Sequence, residues 1–101
     1  MPDVTIKSRP DVKPKIERPR LYKVILVNDD YTPREFVVMV LKIEFGMGES
    51  KAHGVMLTAH RLGSCLISVY PKDVAETKAT RATEAGRARG YPLHFTAEPE
   101  E

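Results

Sequence analysis

Two carboxylates and an amide stand together at Asn28, Asp29 and Asp30, directly after a short apolar segment. Carboxylate and amide oxygens accept hydrogen bonds, so a cluster of this kind can bind a cation. Acidic residues are also common at strand-to-helix turns, where they bond to nearby backbone and favour the helix N-terminus. The cluster therefore indicates either a cation-binding site or an ordinary turn, and alone it does not separate the two.

His60 is the second residue with useful chemistry, and it lies near the end of a segment with helical apolar spacing. We expect its ring at the margin of the core. On helix position alone, a boundary histidine with a structural role is the favoured interpretation. His53 shares its helix face but lies about 10 Å away along the axis, which is too far for both rings to bind one zinc ion.

Motifs of common enzymatic and cofactor chemistry are missing from this sequence. It has no GxSxG nucleophile elbow, no HExxH or CxxC metal motif, and no P-loop or GxGxxG phosphate motif. We therefore expect no catalytic residue, no metal and no cofactor. A small hydrolase that uses His60 or Asp30 is the weakest of the functional alternatives.

Two elements must position the cluster at residues 28–30. Residues 22–27 (YKVILV) are rich in β-branched and apolar side chains, which predicts a buried strand that ends at the cluster. Residues 32–35 (TPRE) have the form of a capping box, in which Thr32 and Glu35 bond to each other's backbone amides and proline takes the first helical position. The pattern predicts a helix that begins directly after the cluster.

Two consecutive helices are predicted from here. The first has apolar residues at helical spacing and ends at glycines. Its apolar positions are Phe36, Val37, Val40, Leu41 and Phe45, and the glycines are Gly46 and Gly48. The second covers residues 49–62, carries His60 and stops at Gly63. Its predicted inward residues are Ala52, Val55, Met56, Ala59 and Leu62.

The rest of the chain predicts a strand, a helix and a strand. Residues 65–70 place Cys65, Ile67 and Val69 on one face, and Pro71 closes this strand. A second capping signature at residues 73–76 (DVAE) opens a helix that ends at Gly90, and its small-residue face consists of Ala75, Ala79, Ala82 and Gly86. Residues 93–98 point Leu93, Phe95 and Ala97 inward. The order β-α-α-β-α-β predicts one α+β domain, a sandwich in which a three-stranded antiparallel sheet packs on helices.

Charge and proline divide the chain of 101 residues into two parts. Residues 1–20 hold four of the eight prolines, with six basic against three acidic side chains, and little that could join a core. We expect this part to be a flexible basic arm, either a solubilising leader or a segment that engages a partner. Residues 21–101 form the predicted core domain, which is slightly acidic with ten basic and eleven acidic residues.

Cysteine usage and hydropathy bear on the compartment. The lone Cys65 cannot form an internal disulfide, which is typical of a reducing environment. No apolar stretch approaches the roughly 20 residues of a membrane span, and the N-terminus has no apolar signal region. We therefore expect a cytoplasmic protein that does not engage a membrane.

Four segments, taken in order, resemble one family. YKVILVNDDYTPREFVV, GVMLTAH, VAETK and GYPL are similar to the ClpS adaptors of the Clp protease system, and the resemblance covers nearly everything from Tyr22 to the C-terminus. It implies the same sandwich, which is similar to the C-terminal domain of the ribosomal stalk protein. It also implies an adaptor that recognises a bulky hydrophobic or aromatic N-terminal residue, an N-degron, and delivers its bearer to a Clp AAA+ unfoldase-peptidase for degradation.

The resemblance assigns a binding site to this chain. It places the ligands of the N-terminal ammonium at Asn28, Asp30 and His60, and Asp29 would hold the following peptide backbone or preorganise the turn. If His60 accepts from the ammonium, binding should weaken as the imidazole becomes protonated on acidification. The implied hydrophobic pocket consists of Thr32, Val37, Met56, Ala59 and Leu93.

Two residues depart from the family pattern. Arg34 stands where the family commonly has a methionine that gates the pocket, and it could stack on a bound ring or point into water. Ala59 stands where valine is common, so the pocket should be larger. This predicts a preference for N-terminal Phe, Tyr or Trp over Leu, unless a neighbouring side chain refills the space.

The resemblance also implies partners. Asp73 and Lys78 lie where the family docks on the N-terminal domain of a ClpA-like unfoldase, although helix capping and a solvated face would also explain them. The N-terminal arm would act in substrate delivery. We expect a monomer that binds peptides with N-terminal Phe, Tyr, Trp or Leu and binds no nucleic acid.

One other class of function uses the same fold. A ribosome-linked or RNA-contacting module would employ the basic arm together with Arg81, Arg87 and Arg89 for phosphate contacts. The slight acidity of residues 21–101 argues against this alternative.

Overall fold

The computed structural model describes residues 20–100. Six elements follow one another along them: β1 (Leu21–Val27), α1 (Arg34–Phe45), α2 (Glu49–Leu62), β2 (Ser64–Pro71), α3 (Lys72–Arg87) and β3 (His94–Pro99). The predicted order β-α-α-β-α-β is confirmed. The predicted basic arm over residues 1–20 lies outside the described residues, apart from Arg20.

The three strands form one antiparallel sheet with β1 in the centre, between β2 and β3. Alternation along β1 turns Val24 and Leu26 into the core, where they are 0% and 2% exposed. The pairing of β1 with β2 shifts between Val24 and Ile25, so that β2 has one residue more than its partner at this point. The buried residue Ile67 occupies this irregularity, and the β2 face predicted to point inward does so.

All three helices pack on one another or on the sheet. The small-residue face of α3 is buried as predicted, and it consists of Ala75, Ala79, Ala82 and Gly86. Because these side chains are short, α3 lies close across β1 and β3, while α1 packs against both α2 and α3. Within residues 20–100, no helix combines the length and apolar character that a membrane crossing requires.

Glycines in the left-handed region end the first two helices, as predicted. Gly46 has φ 66° and Gly63 has φ 93°, and their amides donate to Lys42 O and Ala59 O. The predicted burial of Leu62 is wrong, since this side chain is 76% exposed. At 100° per residue, Leu62 lies about 80° from the direction of Ala52, outside the buried stripe.

The capping box predicted at residues 32–35 is wrong. α1 begins at Arg34 with Pro33 as its N-cap, and no side chain bonds to the free amides of the first turn. The hydroxyl of Thr32 bonds to Asp29 instead, at 2.9 Å from Oδ2. A hydrogen bond to a charged carboxylate is stronger than one between neutral groups, so this bond and the one from the Thr32 amide orient Thr32 towards Asp29 rather than towards the first turn of α1.

The boundaries predicted for α3 are also wrong. The helix begins at Lys72 with Pro71 as N-cap, so Asp73 lies inside the first turn and its carboxylate accepts from the amide of Val74 at 3.1 Å. The fixed φ of proline suits the residue that enters a helix. α3 ends at Arg87, and Gly90, with φ 81°, belongs to the turn that follows.

The contact of Gly86 with Leu93 predicts an opposite response to alanine at two helical glycines. A Cβ on Gly86 would lie 2.7 Å from Leu93 Cβ, whereas a Cβ on Gly54 of α2 would meet nothing within 4 Å. We expect Gly86→Ala to lower the free energy of unfolding by about 1–3 kcal/mol, because α3 must move away from the start of β3. Gly54→Ala should raise it by about 0.5–1 kcal/mol through helix propensity.

Urea unfolding of both variants measures this difference. Wild-type stability or better in Gly86→Ala would show that the close approach of α3 to Leu93 does not constrain the fold.

Candidate functional site

The carboxylate of Asp29 holds the turn that joins β1 to α1. Its Oδ1 accepts from the backbone amide of Tyr31 at 2.7 Å and from that of Thr32 at 2.8 Å. The Thr32 hydroxyl donates to the same carboxylate, 2.9 Å from Oδ2. Asp29 thus bonds to its own turn, in agreement with the preorganising role that sequence analysis left open for it.

The neighbours of Asp29 have different surroundings. Asn28 and Asp30 both line a cavity at the mouth of the fold. Among residues 20–100, no hydrogen bond reaches the side chain of either residue, and Asp30 is exposed. Two acceptor side chains therefore face the cavity, one on each side of the carboxylate that fixes the turn.

A single backbone hydrogen bond brings the helical half of the site into place. The amide of Asn28 donates to Gly63 O at 3.0 Å, and the amide of Gly63 donates to Ala59 O at 2.8 Å. The end of β1 is thereby tied to the last turn of α2. Because His60 belongs to that turn, the bond sets His60 opposite the cluster at residues 28–30.

The cavity has a volume of about 310 Å³ and combines a polar rim with apolar walls. Every site residue predicted for ligand binding lines it: Asn28, Asp29, Asp30, Thr32, Arg34, Val37, Met56, Ala59, His60 and Leu93. The apolar members Val37, Met56, Ala59 and Leu93 are all buried. The structure thus brings together residues that are 65 positions apart in the sequence, and their roles remain predictions.

Sequence reasoning missed several residues of this cavity. Leu26, Val27, Tyr31 and Pro33 also line it. Leu26 is 2% exposed, and it lies behind the rim as part of the central strand. The alternation along β1 indicates that Leu26 points to the same face as Val24. It does not by itself indicate that this face also borders a cavity.

Arg34 and His60 meet across the rim. The Nη2 atom of Arg34 lies 3.1 Å from Nε2 of His60, and both side chains are exposed. His60 is thus more open to solvent than a residue at the margin of the core. A guanidinium has only donors, so a hydrogen bond at this contact uses a lone pair on Nε2, and a neutral ring then carries its proton on Nδ1. This contact adds a third arrangement to the two that the sequence leaves open for Arg34.

The chemistry available at the rim is hydrogen-bond acceptance beside an apolar cavity. Asp29 and Asp30 are the acidic residues that line the cavity and Arg34 is its basic one. Cys65 lies elsewhere, on β2, and burial raises the pKa of its thiol, which disfavours the reactive thiolate. Within residues 20–100, no group of three or more His, Cys, Asp or Glu side chains could hold a metal ion.

The two residues assigned to unfoldase docking lie apart from this cavity. Asp73 and Lys78 line a separate groove on α3, together with Glu44 and Arg81. The ammonium of Lys78 donates to Glu44 O at 3.1 Å and lies 5.6 Å from the ring centre of Tyr70. Lys78 therefore also fastens α3 to the end of α1, whereas Asp73 is exposed.

The arginines considered for RNA contacts already have partners in the fold. Arg81 pairs with Glu44 at 3.2 Å, and Arg87 lies 3.6 Å from Glu84. The guanidinium of Arg89 lies 5.4 Å from the ring centre of Phe36. A phosphate would have to compete with these contacts, so the structure gives the RNA alternative no additional support.

Comparisons with known proteins agree on one family. The family model of the ATP-dependent Clp protease adaptor protein ClpS matches residues 17–96. The chain is 67% identical to the ATP-dependent Clp protease adapter protein ClpS 2 of Mesorhizobium japonicum and 64% identical to ClpS 1 of Bradyrhizobium diazoefficiens, over 101 residues and the full length of each chain.

A solved structure is also similar. Agrobacterium tumefaciens ClpS2 bound to L-phenylalaninamide is 59% identical and superimposes with a TM-score of 0.81. The match covers 82% of this chain and all of the other.

The contrast between Asp29 and Asp30 predicts different effects on stability. We expect Asp29→Ala to lower the free energy of unfolding by about 1–3 kcal/mol, because two amides and a hydroxyl lose their charged acceptor. Asp30→Ala, at an exposed carboxylate without such bonds, should stay within about 0.5 kcal/mol of the wild type. Urea unfolding compares the two variants, and equal losses would contradict the role of Asp29 in the turn.

Proposed function

This chain belongs to the ClpS family of ATP-dependent Clp protease adaptor proteins, and we propose that its cavity binds the first residue of proteins destined for degradation. As an adaptor, it recognises a bulky hydrophobic or aromatic N-terminal residue and delivers the protein that carries it to a Clp AAA+ unfoldase-peptidase. One observation carries the proposal: acceptor side chains surround the mouth of a cavity whose walls are apolar. A free N-terminal residue needs this combination, because it presents an ammonium group beside an apolar side chain.

The polar rim binds the ammonium. Asp30 and Asn28 supply oxygen acceptors, and His60 supplies the lone pair of an unprotonated ring nitrogen. Asp29 contributes indirectly by holding the turn in place, since its carboxylate is already bonded to Tyr31 and Thr32. Charge-assisted hydrogen bonds contribute roughly 1.5–3 kcal/mol each before the cost of ordering the peptide.

The apolar walls bind the side chain of the first residue. Val37, Met56, Ala59 and Leu93 enclose the cavity beneath the rim. Burial of an aromatic ring or a leucine there contributes about 2–3 kcal/mol from area alone. Together with the ammonium contacts, this corresponds to a micromolar Kd or somewhat tighter, once the entropy of association is subtracted.

Ala59 sets the preference among first residues. It is 2% exposed, on the wall of the cavity, and it lacks the two methyl groups of a valine. The extra volume suits a planar ring, whereas the shorter leucine leaves part of it empty. We therefore favour N-terminal Phe, Tyr and Trp over Leu. The structure of the Agrobacterium relative bound to L-phenylalaninamide supports an aromatic ligand.

One set of peptides tests both halves of the site. The peptides differ only in the first residue, Phe or Leu, and each is prepared with a free and with an acetylated amine. We expect the free Phe peptide to bind most tightly, and acetylation to weaken its binding by about 100-fold or more, because the acceptors of the rim lose their charged donor. Fluorescence anisotropy measures all of these constants.

Ala59→Val is the matched variant for the apolar half. It fills the extra volume, so it should narrow the difference between the Phe and Leu peptides without restoring binding of the acetylated ones. Equal binding of Leu and Phe by the wild type would contradict the aromatic preference. Undiminished binding after acetylation would contradict the ammonium site itself.

We also propose that the α3 groove containing Asp73 and Lys78 docks on the N-terminal domain of a ClpA-like unfoldase. The groove shares no lining residue with the peptide cavity, so a monomer can hold its substrate and the unfoldase at once. Its carboxylate and ammonium present both signs of charge at one place. We propose that delivery takes place in the cytoplasm, without any catalytic step by the adaptor itself.

Docking and peptide binding should separate in an Asp73→Ala variant. Asp73 is exposed and its carboxylate bonds to the adjacent amide of Val74, so the fold should tolerate the change. We expect weaker association with the isolated N-terminal domain and unchanged affinity for the Phe peptide. Lys78→Arg is the paired variant, because alanine at Lys78 would also remove its bond to Glu44. Unchanged unfoldase binding by both variants would contradict this assignment.

A further inference from the structure

The contact between Arg34 and His60 lies within the site that is proposed to receive an ammonium. Nη2 of Arg34 is 3.1 Å from Nε2 of His60, and both residues line the cavity. We propose that Arg34 is a built-in competitor for the N-terminal ammonium, because it occupies the acceptor nitrogen of His60 that the ligand requires. The inference rests on the proposed function and adds a mode of regulation to it.

The guanidinium of Arg34 and the ammonium of a ligand cannot both bond to His60 at the same time. A neutral imidazole has one ring nitrogen with a lone pair, and the other carries the proton. Arg34 is always charged and always a donor, so its contact places the lone pair on Nε2. An ammonium that bonds to His60 must use the same lone pair. Binding therefore exchanges one cationic donor for another at a single atom.

The same contact keeps His60 ready for the exchange. A histidine without such a neighbour can carry its proton on either ring nitrogen. The position of the acceptor in the site then depends on which nitrogen is protonated. Here Arg34 selects the form with the lone pair on Nε2, which is the form that an ammonium needs. Arg34 thus covers the acceptor and preorganises it at the same time.

A second groove beside the cavity can accept the guanidinium when it leaves His60. Arg34 and Met56 line the peptide cavity and also a second groove between α1 and α2. Arg34 is at the first position of α1 and is exposed, so a rotation of its side chain alone can carry the guanidinium from one side to the other. Displacement requires no change in the backbone.

Asn28 and Asp30 stay available while Arg34 holds His60, so the competitor weakens binding without blocking it. We expect Arg34→Met to raise the affinity for the free-amine Phe peptide by about fivefold, which corresponds to the loss of one exposed charged hydrogen bond. Arg61→Met is the matched control, because Arg61 is exposed on α2 next to His60 but does not line the cavity. It removes the same charge and should leave affinity unchanged.

A double-mutant cycle with His60→Ala isolates the contact. The gain from Arg34→Met should vanish in the His60→Ala background, since no acceptor remains to be released. An equal gain in both backgrounds would mean general charge repulsion and would overturn the competition. A loss of affinity in Arg34→Met would mean that Arg34 covers the bound ring, and would overturn it as well.

Nitrogen NMR of the His60 ring supplies a readout without any peptide. The wild type should show the proton on Nδ1, and Arg34→Met should shift the population towards a proton on Nε2. Unchanged ring spectra would overturn the proposed contact directly. If no variant binds the free-amine peptide, the proposed function fails and the competition fails with it, whereas the ring spectra still decide whether Arg34 holds His60.

Discussion

The carboxylate of Asp29 is the interaction on which the site depends. It gathers two backbone amides and a hydroxyl from the residues that follow it, and so it fixes the angle at which the chain passes from β1 into α1. Without that constraint, consecutive acidic residues would repel each other and sample many directions. With it, one carboxylate belongs to the architecture and the next is free for a ligand.

A second constraint connects this turn to the rest of the fold. The amide of Asn28 bonds to Gly63 O, so the last turn of α2 and its His60 are held against the end of the central strand. The opposite wall comes from Leu93, which contacts Gly86 of α3 so closely that no side chain fits between them. One backbone hydrogen bond, the hydrogen bonds of the Asp29 carboxylate and the packing of Leu93 on Gly86 thus form the cavity, and its apolar walls are parts of the core.

Most features that depend on periodicity, and the glycine ends of α1 and α2, follow from the sequence. The bounds of α2 match, the inward faces of the strands match, and the residues matched to the family surround one cavity. The error at the start of α1 lies where several hydrogen-bond partners compete. The residues at 32–35 have the form of a capping box, but Asp29 takes the Thr32 hydroxyl, and the prediction considered no partner from before the box. The contact of Arg34 with His60 joins residues 26 positions apart, which no local pattern reveals.

In the proposed site, Arg34 and Ala59 would act on selectivity in different ways that reinforce each other. A competitor at His60 weakens every ammonium ligand by the same factor, so by itself it leaves the ratio of affinities unchanged. Ala59 changes the ratio, because the larger cavity favours a ring over leucine. When both are present, the same loss of affinity lowers the fractional occupancy of the site by a larger factor for the weaker ligand than for the tighter one. At a fixed concentration of competing N-termini, Arg34 at the rim and the cavity enlarged at Ala59 together would therefore discriminate more strictly between N-terminal residues than the enlarged cavity alone.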